Sequence, residues 1–123
     1  MSLELNELIN NFIEERRDIL DNPGYDCSER AEDIVEYIRP YKYKAEVLQF
    51  STSDFTDPYS SSIDLIVPEK GDTKEYTYHC VALINDDIVV DIFNLPFVKL
   101  EDYKKTIEDL NKGKKIIYKI LNF

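Results

Sequence analysis

This 123-residue chain lacks any long apolar run, and no stretch approaches the ~20 residues that a membrane-spanning helix requires, so no membrane partner is expected. A leader of the secretory kind is not expected in it either, because Met1 to Leu20 is acidic and amphipathic rather than a charged start followed by an apolar stretch. Positive charge is in short supply: 15 Lys and Arg stand against 25 Asp and Glu, for a net charge of −10. That balance denies nucleic acid the positive field that phosphate binding depends on. The deficit is uneven, with eleven acids against four arginines over residues 1 to 39 and seven lysines against four acids over residues 99 to 119, the latter read as a solvated helix and strand surface. Histidine occurs once and cysteine twice, and no Cys/His cluster has the spacing of a metal site, so neither metal nor cofactor is expected. Internal repeats and low-complexity tracts are absent.

What the chain does have is 43% hydrophobic residues, with nine Tyr and six Phe, enough for one packed core. A single domain spanning residues 1 to 123 is expected, made of an N-terminal helix within 1 to 22 and a core over 24 to 121. Such a core needs no disulfide, so Cys27 and Cys80 are read as free thiols of a soluble, cytoplasmic chain in a reducing compartment, or of a unit cut from a larger secreted protein.

Leu5, Leu8, Ile9, Phe12 and Ile13 recur at helical spacing, predicting a helix over 3 to 20 that Asn22-Pro23-Gly24 ends. Cys27, Ala31, Ile34, Val35 and Ile38 predict a second helix from about 27 to 39, with Asp26 as N-cap, Glu29 completing a capping box and Pro40 as the stop. Ala45 to Phe50 reads as a strand, 51 to 62 as a polar loop, Ile63 to Val67 as a strand, and Pro68 to Asp72 as a turn. Tyr76 to Ile84 and Ile88 to Phe93 read as a hairpin about Asn85-Asp86-Asp87, apolar enough for the centre of a sheet. Leu100, Tyr103, Ile107 and Leu110 give a third helix, closed by Asn111 and Gly113, and Lys114 to Leu121 a last strand. The fold class expected is α+β, with N-terminal helices packed on an antiparallel sheet of about four to five strands.

The chemistry lies in the order of three residues. Cys27 stands at the first turn of a helix, where free N–H groups and the helix dipole favour a thiolate and could support an oxyanion. The sole histidine, His79, lies on a strand, and Asp91 on the next one. If Ile84 pairs with Ile88, then Asp91 is the diagonal neighbour of His79 on the same face and can orient its ring. Taken singly, each residue has an ordinary structural reading: a buried core thiol, a satisfied histidine, a strand-end carboxylate. As an ordered set they point to nucleophile, base and orienting acid. Asp26 and Glu29 oppose thiolate formation unless His79 is protonated nearby. Cys80 alternates with His79 and is read as core.

The segments Gly24-Tyr25-Asp26-Cys27-Ser28-Glu29-Arg30-Ala31, Tyr78-His79-Cys80-Val81-Ala82-Leu83, Ile88-Val89-Val90-Asp91-Ile92 and Leu100-Glu101-Asp102-Tyr103 resemble the bacterial papain-fold toxin domains. The resemblance implies a papain-like fold and a cysteine-dependent hydrolase or acyl transferase of protease or glutamine-deamidase type, with Cys27, His79 and Asp91 as a catalytic triad. It implies substrate or oxyanion support from Ser28 and Asn94, a protein or peptide substrate, a cognate immunity protein as partner, and action in the cytoplasm of a target cell. The chain departs from papain in having Asp21 and Asn22 where a glutamine precedes the nucleophile. The competing expectation is a non-enzymatic acidic binding module, such as an immunity or inhibitor protein.

Overall fold

In a computed structural model the described residues are 4–20, 27–41, 43–52, 65–69, 72–76, 78–91 and 98–121. The first helix, α1 (Leu5–Glu15), buries Leu8, Ile9 and Phe12, the stripe its 3,4 spacing dictates. The expected single helix over 3 to 20 is interrupted: Arg16 leaves helical geometry at φ −109° and ψ 10°, and a short α2 (Arg17–Leu20) follows. Helix α3 (Cys27–Ile38) buries Ala31, Ile34, Val35 and Ile38, and a 3-10 turn over Arg39–Tyr41, containing Pro40, ends it. The expected cap, Asp26, lies outside the described residues.

Among the described residues seven strands follow the order β1 (Ala45–Ser51), β2 (Leu65–Glu69), β3 (Asp72–Tyr76), β4 (His79–Ile84), β5 (Ile88–Val90), β6 (Val98–Lys99) and β7 (Ile117–Leu121), with α4 (Leu100–Leu110) between the last two. Five of them form a sheet in the order β6-β5-β4-β1-β7, antiparallel throughout, and β2 and β3 form a separate two-stranded ribbon. The architecture is α+β. The run read as one strand from Tyr76 to Ile84 is in fact divided, its start closing β3 and its end forming β4. The expected turn over 68 to 72 is narrower, because Pro68 and Glu69 still pair with Thr73 and Asp72.

Between β4 and β5, Asn85 and Asp86 take positive φ of 53° and 60°, the left-handed geometry that Asn and Asp tolerate best after glycine, and Asp87 N–H bonds the Ile84 carbonyl at 3.1 Å. The turn is anchored to β1 by Asn85 Oδ1, which accepts from the Lys44 N–H at 3.1 Å. The register that results pairs Ile84 with Ile88 and Ala82 with Val90.

Alternation along the strands builds two cores. Ala45, Val47, Cys80, Ala82, Ile84 and Val90 face α1 and α3. Leu48, Phe50, Val81, Leu83 and Val89 face the other way, toward Leu65 and Val67 of the ribbon and Tyr103 and Ile107 of α4. Asn111, 2% exposed just beyond α4, joins helix to ribbon. Its Nδ2 donates to the Ile66 carbonyl at 2.9 Å and the Ile107 carbonyl at 2.8 Å, and its Oδ1 accepts from the Ile66 N–H at 2.8 Å. No helix among the described residues is long and apolar enough to cross a membrane.

Candidate active site

His79 begins β4 and Asp91 directly follows β5, and the Ile84–Ile88 register puts both on the α4 side of the sheet. There His79 Nε2 and Asp91 Oδ2 are 3.2 Å apart, with both side chains almost wholly buried. Buried charge without a partner is costly, so this pair must satisfy itself. Asp91 Oδ2 also accepts a hydrogen bond from the Tyr103 hydroxyl at 2.9 Å. The imidazole is walled by Phe50, edge-on at 5.5 Å, and by Tyr76 at 5.8 Å.

With Asp91 on Nε2, that nitrogen carries the proton and Nδ1 is the one left for chemistry. Nδ1 is buried and closes no hydrogen bond among the described residues. Cys27 supplies the neighbour for the ring, since thiol and imidazole change each other's proton affinity. Nucleophile–base contacts are often loose in a resting site and tighten with substrate.

Cys27, the first residue of α3, is the partly exposed member of the three. Its thiol is brought down to about 4 from an ordinary 9.0. The largest cause is a hydrogen bond from the Cys80 thiol; burial opposes the shift, and His79 and the Cys80 N–H add to it. His79 moves the opposite way, to about 9: burial alone would lower it, but the hydrogen bond to Asp91 and the charges of Asp91 and Cys27 outweigh that. Asp91 is held below its usual range although burial pushes upward, because His79, the Tyr103 hydroxyl and the Arg30 charge favour its ionised form. These shifts favour the charged forms of Cys27, His79 and Asp91 together. This answers the opposing charge that Glu29 brings to the helix start.

Cys80 is core, as its alternation predicts, and faces α3 while His79 faces α4. From that place it is also the group that most favours the Cys27 thiolate.

Ser28 takes the second position of α3 and is half-buried, within the first turn beside the thiol. Asn94 lies outside the described residues. No group of three or more His, Cys, Asp or Glu able to hold a metal occurs among the described residues. Tyr103 is the site residue that sequence reasoning missed; helical spacing marks it as buried but carries no sign of where its hydroxyl points. No protein-family model matches this chain, and no curated protein or solved structure matches it either.

Proposed function

We propose that the chain is a cysteine-dependent hydrolase or acyl transferase acting on amides, with a papain-like arrangement of Cys27 as nucleophile, His79 as acid and base, and Asp91 as the orienting carboxylate. The observation that carries this reading is the His79 Nε2 to Asp91 Oδ2 contact of 3.2 Å beside a partly exposed thiol at a helix start, with Nδ1 left unpartnered.

In such a site the Cys27 thiolate attacks the carbonyl carbon, and the electron pair of the C=O bond moves onto oxygen. Backbone N–H groups of the first turn of α3 are the candidate support for that oxyanion. As the intermediate collapses, the C–N bond breaks and imidazolium Nδ1–H gives its proton to the departing amine, leaving a Cys27 thioester. Water, losing a proton to Nδ1, or another acceptor then attacks the thioester and releases the sulfur. A peptide bond and a glutamine side chain both fit this scheme. The toxin or effector role implied by the sequence resemblance, with its peptide or protein substrate and cognate immunity protein, belongs to the same proposal.

Alkylation by iodoacetamide tests it. At pH 5 the thiolate fraction favours Cys27 over an ordinary thiol by about four decades; a low-pKa thiolate is intrinsically less nucleophilic by about two. Cys27 is therefore expected to react roughly a hundredfold faster than a small-molecule thiol at pH 5, with a rate nearly flat up to pH 8. A rate that climbs tenfold per pH unit, as for a free thiol, removes the basis of the proposal. Growth arrest by the wild-type chain in a bacterial host, relieved by Cys27→Ala, separates the enzyme from an acidic binding module, whose effect that substitution leaves intact.

A further inference from the structure

Among the described residues Asp91 is not part of a strand ladder. It stands immediately beyond β5, a strand of only three residues, so a separate contact must fix its carboxylate. Tyr103 provides one from another layer. Its helix, α4, is tied to the β4–β5 turn through the Leu100 N–H, which bonds the Asp87 carbonyl at 2.7 Å, and Tyr103 itself is 1% exposed. The Tyr103 hydroxyl and His79 Nε2 converge on the same carboxylate oxygen, Oδ2, at 2.9 and 3.2 Å. Two donors on one oxygen from different directions set the rotation of the carboxylate, which a single donor leaves free.

The rings agree with this placement. Phe50 stands edge-on between Tyr103, at 5.9 Å, and His79, at 5.5 Å, so one wedge spaces donor and base. We propose that Tyr103 is a positioning residue of this site, whose hydroxyl holds the Asp91 carboxylate against His79 and thereby keeps the imidazole aligned toward Cys27. The inference rests on reading Cys27, His79 and Asp91 as a thiol site. Burial and the Asp91 charge push the phenol well above its ordinary value, so it remains a donor throughout the working range. The charged or titratable groups around the imidazole are Asp91 on the β5 side, Cys27 on α3 and Tyr76 on β3, with Arg30 acting on Asp91 from α3.

The chain has one histidine, so a single imidazole resonance in proton NMR reports His79 without assignment. Tyr103→Phe keeps the ring and removes only the hydroxyl. If that hydroxyl holds Asp91 in place, His79 in Y103F titrates lower than the wild-type value of about 9. A fall of about one unit or more, a tenfold loss of proton affinity, is expected. An unchanged value assigns the hydroxyl a structural role only, and a raised one shows that it merely drains charge from Asp91; either overturns the inference. Should Y103F not fold, the intact protein decides: a hydroxyl proton locked on a buried carboxylate exchanges slowly and shows a nuclear Overhauser contact to the His79 ring, and its absence refutes the placement. Failure of the wider reading looks different, since wild-type His79 would then titrate near 6.5 and Cys27 would alkylate like an ordinary thiol at pH 5.

Discussion

Replacing Cys27 by serine removes the titrating thiol and should change the pH dependence of folding stability in a form that no loss of packing can imitate. A thiol depressed from 9.0 to about 4 contributes stability that is complete above 9.0 and is lost as pH falls through about 4. An imidazole raised from 6.5 to about 9 contributes stability that is complete below 6.5 and is lost as pH rises through about 9. Between 6.5 and 9 the two slopes cancel: the unfolded chain carries a proton on sulfur, the folded one a proton on imidazole. Between about 4.5 and 6.5 only the thiol term acts, and wild-type stability rises with pH by at most 1.36 kcal/mol per unit. Over that range the limit is about 2.7 kcal/mol, and solvent screening at a partly exposed sulfur leaves about 1–2 kcal/mol. For a chain of this length this is roughly 4–8 °C in Tm. Thermal unfolding of wild type and C27S at half-unit intervals from pH 4.5 to 9, taken as a difference, cancels the shared carboxylates. The difference should grow up to pH 6.5, and C27S alone should then lose stability above 6.5, where its unfolded state gives up a histidine proton that its folded state keeps. A difference independent of pH from 4.5 to 6.5 would refute the thiolate–imidazolium state.

Two further substitutions test the supports of the site. Cys80→Ala removes the hydrogen bond that most lowers the Cys27 thiol, so the acid limb of Cys27 alkylation should move to higher pH, and Cys80→Ser, which restores a donor, should bring it part of the way back; superimposable profiles for all three proteins would show that Cys80 is core and nothing more. Asn111→Ala strips the Ile66 N–H and carbonyl and the Ile107 carbonyl of a shared partner, and should cost about 2–3 kcal/mol in urea unfolding while leaving Cys27 alkylation at pH 5 unchanged; a loss below 0.5 kcal/mol would mean that water replaces the amide at no cost.

Legibility of the fold followed the strength of each local pattern. Helices α3 and α4 were visible because five and four apolar residues respectively repeat at helical spacing and Pro40 and Gly113 stand at their ends. The relation of His79 to Asp91 was visible because strand parity is a period of two, so that only an odd slip could separate them. Strand β3 was not, since Asp72-Thr73-Lys74-Glu75 offers no apolar face and is held by pairing to β2 alone. Two-residue β6 is too short to carry a pattern. The break at Arg16 falls within an unbroken amphipathic stripe, which reports which face is buried and not whether the axis is continuous. The hydroxyl partner of Tyr103 was not visible for a different reason: periodicity gives the face of a residue, while the partner of its polar atom lies on a distant element.

The register of β4 is what brings these pieces together. Among the described residues the β5 ladder covers Ala82 to Ile84, and the β1 ladder continues to His79. Cys27, at the start of α3, packs against the cluster that holds Cys80, and Cys80 is the group that lowers its thiol most. Asp91, directly after β5, keeps the parity of His79 and so meets its ring on the α4 side of the sheet. A short strand thus sets the pairing of the two side chains, and a second donor to the same carboxylate oxygen comes from Tyr103 on α4.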